Sequence, residues 1–172
     1  ADIFFRPNNK DQLIDFLKKI KKLNLKVNFI GAGSNTLIRD SGIKGAVIKL
    51  GSKFSQINLI KENIIEVGAA TLDKRVSDFA KENCIGGMEF LSCIPGSVGG
   101  AIIMNSGCYG SEISQILFSI KILDKNGEEK EIKREEINFF YRGSNISEDY
   151  LILSAKLKGE LSSQDSIKKK QE

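Results

Sequence analysis

The chain has 172 residues, 41% of them hydrophobic, with 26 basic and 22 acidic residues, no histidine and a formal net charge of +4. That is enough apolar material for one domain or two small lobes sharing an interface, and the charges are too evenly mixed for a disordered chain or, by themselves, for nucleic-acid binding. Without histidine, Ser-His-Asp and Cys-His nucleophile systems are excluded, and three cysteines (Cys84, Cys93, Cys108) with no C-x-x-C spacing speak against a disulfide framework or any metal site.

"ADIFFR" reads as a short strand and "PNNKDQLIDFLKKIKKLN" as a helix, with Asn9 as N-cap and Gln12 at capping-box spacing. Leu13, Phe16, Leu17, Ile20 and Leu23 form its apolar stripe. Lys18, Lys19, Lys21 and Lys22 cover the rest, as a solvated face or an anionic docking patch. "KVNFIGAGSN" is a strand running into a glycine-rich turn, and "GAVIKL" a second strand. "FSQINLIKENIIEVGAA" reads as a hairpin turning at "KEN". "TLDKRVSDFAKENC" is a helix started by Thr71, with Leu72, Val76 and Phe79 on one face. "ILFSIKILDKNGEEKEIKREEINFFY" gives two strands around an Asn126-Gly127 turn, and "YLILSAKLKG" a last strand. "SSQDSIKKKQE" begins a helix capped by Ser162 or Ser163.

This order, βαββ and then antiparallel strands, predicts an α+β fold in two lobes: residues 1–50, residues 51–160, and the start of a further helix at 161–172. The chain opens without an initiator Met and stops inside a helical pattern, so it reads as a piece of a longer one. No apolar run approaches the roughly 20 residues that span a bilayer. There is no signal-peptide pattern, and the expected location is the cytoplasm.

Two glycine-rich stretches stand out. In "FIGAGSNTLIRD", consecutive amides at Gly31-Ala32-Gly33-Ser34-Asn35 can cradle a phosphate, or simply make a tight turn. Thr36 stands where a dinucleotide-binding fingerprint needs a third glycine, and there is no Walker lysine. In "FLSCIPGSVGGAIIMNSGCYG", Pro95-Gly96 is a turn and Ser97 can cap a short helix over residues 98–104. Gly99 and Gly100 would cost that helix about 1 kcal/mol each relative to Ala, which is understandable if something packs on the backbone there. A helix start opened by Gly-Ser also suits an anion. Two such elements suggest an extended diphosphate, hence a dinucleotide. "FFYRGS" carries Arg142, which can hold a carboxylate or phosphate, or make a surface salt bridge.

At these residues the sequence resembles the UDP-N-acetylenolpyruvoylglucosamine reductase (UDP-N-acetylmuramate dehydrogenase) family. "GAGSN" resembles its G-x-G-S-N turn. "GMEFLSCIPGSVGGAIIMNSGCYGSE" resembles its G-[LM]-E-F-x-x-x-I-P-G-[ST]-V-G-G-A-x-x-M-N-A-G-A-Y-G segment, and "FFYRGS" its F-x-Y-R-x-S segment. The resemblance implies a two-lobed FAD-binding fold of the vanillyl-alcohol-oxidase type, with NADPH as hydride donor and a UDP-GlcNAc enolpyruvyl ether as substrate. It implies that Gly31, Gly33, Ser34 and Asn35 hold the FAD diphosphate. It implies that Ile94, Pro95, Gly96, Ser97, Val98, Gly99, Gly100 and Ala101 line the flavin and diphosphate, with Asn105 and Gly107 in the same cofactor segment. Tyr109 and Tyr141 would face substrate. Arg142 would be catalytic, binding the substrate carboxylate and stabilising enolate charge, with Ser144 beside it.

Ser106 and Cys108 replace the family's small Ala or Gly, Thr36 replaces a branched apolar residue, and Cys93 reads as a packing thiol. The resemblance also implies a C-terminal domain with a serine proton donor and a glutamate, and no residue here takes the donor's role. The expectation is a chain that binds FAD without turning over substrate alone. The competing readings are another flavin oxidoreductase of this fold, a non-catalytic nucleotide-binding module and, weakest, a nucleic-acid binder using the lysine face.

Overall fold

The computed structural model describes residues 1–171. The first strand, β1 (Ile3–Phe5), leads into helix α1 (Lys10–Lys22), then β2 (Val27–Phe29) and β3 (Ala46–Ile48). These three strands form a parallel sheet in the order β1-β3-β2. Asn9 caps α1 as the sequence predicts: the Gln12 amide donates to its Oδ1 at 2.9 Å, and the Gln12 side chain accepts from the Asn8 amide. Leu13, Leu17 and Ile20 are the buried face of α1, Phe16 stacks on Phe5 with ring centroids 4.0 Å apart, and Leu23 is exposed.

The rest of the chain builds an antiparallel sheet of five strands in the order β10-β9-β13-β5-β4. Its first hairpin is β4 (Ile57–Lys61) and β5 (Ile64–Gly68), turning at Glu62-Asn63. Helix α2 (Asp73–Glu82), the two-residue strand β6 (Ile85–Gly86) and a 3-10 turn (Glu89–Cys93) follow. Next come α3 (Val98–Ile103), the small hairpin β7 (Gly107–Cys108) and β8 (Ser111–Glu112), and α4 (Ile113–Ile116). The central strand β9 (Leu117–Leu123) pairs with β10 (Glu129–Lys133) across a turn in which Asp124 Oδ1 accepts from the Asn126 and Glu128 amides and Gly127 takes φ +85°. A short hairpin, β11 (Phe139–Phe140) and β12 (Gly143–Ser144), precedes the long strand β13 (Leu151–Lys158). β14 (Glu160–Leu161) pairs with β6, and α5 (Gln164–Gln171) ends the described residues.

Two apolar clusters hold the elements. The larger unites Ile65, Val67, Val76, Met88, Leu91, Ile102, Ile120 and Leu157 between the antiparallel sheet and the helices on it. The smaller joins Leu13, Leu17 and Ile48 to Leu123, Leu151 and Leu153, so α1 packs against the ends of β9 and β13 as well as its own sheet. α5 folds back: Ile167 is buried, and the Gln171 side chain donates to Ser77 Oγ at 2.7 Å. Ser163 caps it, accepting from the Ser166 amide at 3.3 Å, and Glu172 lies outside the described residues.

Three local expectations are corrected. Thr71 does not cap α2; the capping position is Leu72, without a side-chain bond, and Thr71 is fully buried with its carbonyl bound by the Val98 amide. The buried face of α2 is Asp73, Val76, Ser77 and Ala80, while Leu72 is half exposed. "REEINFFY" is no continuation of β10 but a 3-10 turn (Arg134–Glu136) and then β11, the Arg134 side chain bonding the carbonyls of Ser114 and Ile137.

Leu13→Ala removes a fully buried side chain from the smaller cluster and is expected to cost 2–5 kcal/mol. Asn9→Ala removes one cap bond and is expected to cost about 1 kcal/mol. Urea unfolding monitored by circular dichroism measures both.

Candidate functional site: a cleft at the seam of the two sheets

Parallel strands present the ends where successive chain segments leave the sheet, and ligands characteristically bind outside the carboxyl ends of such strands. Here Arg6 follows β1, Lys49 follows β3, and Ile30-Gly31 follows β2; all line one cleft of about 810 Å³. The Gly31–Asn35 turn forms its rim. Gly33 takes φ +91° and the Thr36 amide donates back to its carbonyl, which closes the turn. The opposite wall is the second glycine-rich segment, from Ile94 to Met104, with Ala69, Ala70, Leu72, Asp73 and Arg75 beneath it and Tyr150 to Ile152 alongside.

The two glycine segments touch. A Cβ on Gly31 would lie 2.6 Å from Ser97 Oγ, and one on Gly96 would lie 2.6 Å from Asp73 Oδ2 and 3.7 Å from Ser34 Oγ. The Gly99-Gly100 pair divides into two cases. Gly99 packs on β5's continuation, where a Cβ would be 3.1 Å from Ala69 Cβ; Gly100 faces the cleft and meets only Ser97 Oγ at 3.8 Å. Ser97 occupies the N-cap position of α3 without a side-chain cap bond. The amides of Val98 and Gly99 are already bound, to the carbonyls of Thr71 (2.9 Å) and Ala69 (3.0 Å). The start of α3 is therefore not an open set of anion-binding amides, because the tertiary fold has used two of them.

The wall contains polar side chains without partners. Ser97 Oγ, Thr71 Oγ1 and both carboxyl oxygens of Asp73 are buried with no hydrogen bond. Burial pushes the Asp73 carboxyl up to about 7, and no ion pair offsets it. Four cations, Arg6, Lys49, Arg75 and Arg142, line the cleft, and none forms a salt bridge among the described residues. A partly apolar cleft with unpaired cations, spare hydroxyls and glycine turns that admit close approach can hold an anionic ligand with an apolar part.

Of the residues singled out in the sequence, Gly31, Gly33, Ser34, Asn35, Ile94, Pro95, Gly96, Ser97, Gly99, Gly100, Ala101 and Arg142 line the cleft. Val98 lies in the apolar core, fully buried. Asn105 is buried behind the wall. Its amide donates to the Phe140 carbonyl at 3.3 Å, and its Oδ1 accepts from the Ser114 amide at 3.3 Å. Gly107 packs in β7, where a Cβ would run into the Ser111 carbonyl. Tyr109 stands at the tip of the β7-β8 turn with φ +53°, 89% exposed. Tyr141 and Arg142 form the two-residue tip of the β11-β12 hairpin; Tyr141 is 87% exposed, Arg142 takes φ +59°, and its guanidinium lies 5.6 Å from the Tyr141 ring centroid. Ser144 Oγ donates to the Ile103 carbonyl at 3.1 Å. Asn105 and Ser144 thus tie this hairpin to the C-terminal end of α3 and hold Arg142 at the cleft. Cys93 is exposed and not a packing thiol.

Sequence reading missed Arg6, Lys49, Asp73 and Arg75. The positions of Arg6 and Lys49, one residue beyond parallel strands, carry a usable signal; Asp73 and Arg75 carry none, since an acid and a base at a helix start are ordinary. No described helix is long and apolar enough to cross a membrane.

Residues 1–133 match the FAD binding domain family. The UDP-N-acetylenolpyruvoylglucosamine reductase of Pelagibacter ubique is 46% identical over 165 residues, covering 96% of this chain and 54% of that protein. The reductase of the same name from Rickettsia canadensis is 43% identical over 155 residues, covering 90% and 52%. Among solved structures, the UDP-N-acetylenolpyruvylglucosamine reductase of Thermus caldophilus superposes with a TM-score of 0.85 at 26% identity, over 98% of this chain and 59% of that one. The chain spans about half the length of the curated relatives it matches. It belongs to the FAD binding domain family and is a homologue of the bacterial UDP-N-acetylenolpyruvoylglucosamine reductases over that half.

Proposed function

We propose that this chain supplies the FAD site for NADPH-dependent reduction of the UDP-GlcNAc enolpyruvyl ether to UDP-N-acetylmuramate, a step of peptidoglycan synthesis in the cytoplasm. The observation that carries the reading is the meeting of the Gly31–Asn35 turn and the Ile94–Ala101 segment across one cation-lined cleft. When bound, the flavin supplies hydride transfer, taking hydride from NADPH and giving it to the enolpyruvyl double bond.

The chain's own residues have distinct tasks. The Gly31–Asn35 amides and the Ser34 and Asn35 side chains bind the diphosphate, and Arg6, Lys49 and Arg75 compensate its charge. Ile94 to Ala101 form the wall against which the cofactor packs. Their backbone comes close because Gly96 and Gly100 carry no side chain. Asn105 and Gly107 act at one remove, Asn105 by fixing the Arg142 hairpin and Gly107 by closing β7 onto β8. Arg142 binds the substrate carboxylate and stabilises the negative charge of the enolate-like transition state. The exposed rings of Tyr109 and Tyr141 are free to meet the incoming nucleotide sugar.

Purified chain mixed with FAD is expected to carry the flavin absorbance through gel filtration and to quench flavin fluorescence; flavin that elutes free overturns the reading. Gly31→Val, which drives a side chain onto Ser97, is expected to weaken FAD at least about tenfold with the circular dichroism spectrum unchanged. Arg142→Ala is expected to leave FAD affinity within about twofold while weakening the enolpyruvyl ether by about tenfold or more, read by calorimetry on the FAD-loaded chain. The chain alone is expected to show no NADPH-dependent reduction of that substrate, since none of the described residues is placed as proton donor to the enolate.

A further inference from the structure

Asp73 is the feature that the assigned roles leave unexplained. It is fully buried in the wall of the cleft, at the start of α2, and neither carboxyl oxygen has a hydrogen-bond or ion-pair partner. Two hydroxyls beside it, Ser97 Oγ and Thr71 Oγ1, are orphaned in the same way. All three flank the point where Leu72 pairs with Ser97, so one backbone contact gathers them. The carboxyl packs directly on Gly96, where a Cβ would sit 2.6 Å from Asp73 Oδ2 and 3.7 Å from Ser34 Oγ of the first glycine turn, so the two glycine segments and the acid meet at one point of the wall. Buried polar groups are normally paired, and unpaired ones gathered in the wall of a cleft are what a site looks like when its ligand supplies the partners.

The charged groups around Asp73 are few. Its own helix contributes Arg75 at the cleft and the exposed Lys74; the ends of β1 and β3 contribute Arg6 and Lys49; the β11-β12 hairpin contributes Arg142. None is within ion-pair distance, and among the described residues no other acid lines the cleft. An ionised carboxylate here would face both a low-dielectric wall and the negative charge of a diphosphate. A neutral one faces neither penalty and has a proton to donate.

We propose that Asp73 engages the dinucleotide as a neutral carboxylic acid, donating its proton as a hydrogen bond to an oxygen of the bound cofactor. The inference rests on the FAD reading above. It makes Asp73 a cofactor-binding residue whose ionisation opposes binding. Burial already holds much of the group protonated near neutrality, with a folded-state value of about 7. A bound anion that accepts its proton raises that value further, so binding takes up a proton above pH 7 and not below it.

The test is the FAD dissociation constant from fluorescence quenching between pH 5.5 and 8.5. For the natural chain it is expected to be flat below about pH 7 and then to rise about tenfold per pH unit until the bound acid ionises. Asp73→Asn keeps a donor that cannot ionise, and is expected to match the natural chain within a few-fold at pH 6 and to stay flat to pH 8.5. The chain has no histidine, so no imidazole titrates in this window. A flat profile for the natural chain, the same slope in Asp73→Asn, or binding that tightens above pH 7 each overturns the proposal, the last because the cofactor would then be donating to a carboxylate.

A second measurement needs no cofactor. Asp73 is neutral in the folded chain and ionised in the unfolded one between its ordinary value of 3.8 and about 7. Its contribution to stability is therefore full below pH 4 and lost as pH rises through 7. Relative to Asp73→Asn, the melting midpoint of the natural chain is expected to fall by on the order of 10 °C between pH 4 and pH 8. A constant difference overturns the neutral-acid assignment whether or not FAD binds. Absence of FAD binding at pH 6 defeats the functional reading, whereas pH-independent binding defeats only the role of Asp73.

Discussion

The site depends on one backbone contact, the docking of residues 96–99 onto residues 69–73. The Val98 and Gly99 amides donate to the carbonyls of Thr71 and Ala69, and the Asp73 amide donates to the Gly96 carbonyl at 3.2 Å. Every unusual feature nearby follows from this short antiparallel contact. Gly99 has no side chain because Ala69 lies against it. Thr71 cannot cap α2 because it is buried in the contact. The first amides of α3 are consumed, and Ser97 and Asp73 are brought under the cleft instead of facing solvent. Buried backbone groups must be paired somewhere, and here their pairing decides which side chains remain unpaired.

The cleft lies where two different sheets meet. The parallel sheet delivers Arg6, Lys49 and the first glycine turn at the carboxyl ends of its strands. The antiparallel sheet, through β5, β13 and the helices on it, delivers the opposing wall. α1 and the smaller apolar cluster lock the sheets together, since Leu13 and Leu17 pack with Leu123, Leu151 and Leu153. Relative placement of the two walls is thus a hydrophobic matter, while their recognition chemistry is polar.

Charge is distributed unevenly within a nearly balanced chain. Some surface lysines have acidic partners, as in Lys10–Glu129, Lys125–Asp149 and Lys156–Glu131. Among the described residues the cleft cations have none, and the one acid among them is buried. Exposed pairs contribute little to stability, and the informative pattern is the gathering of four cations around one concave, partly apolar space, which concentrates positive potential there. A net charge of +4 conceals this, because it sums charges over the whole chain and says nothing of where they gather.

Periodic and capped elements were legible residue by residue. Asn9 and Gln12 marked the start of α1, turn residues marked β4-β5 and β9-β10, and Ser162 or Ser163 marked the start of α5, because these depend on interactions within a few positions along the chain. The glycine-rich stretches at 31–35 and 94–107 pointed to a dinucleotide site, since glycine at fixed spacing already restricts what the backbone can admit, and the family resemblance named FAD. The sequence could not say which glycine serves the ligand and which serves packing, that Asn105 and Ser144 anchor the Arg142 hairpin, or that Thr71 and Asp73 lie buried beside Ser97. Those assignments depend on contacts between residues about 25 to 40 positions apart. By itself the sequence determined the elements and the chemistry available to them; only the tertiary structure decided which polar groups were spent on holding the fold and which were left over to bind, because that division is made by long-range backbone pairing.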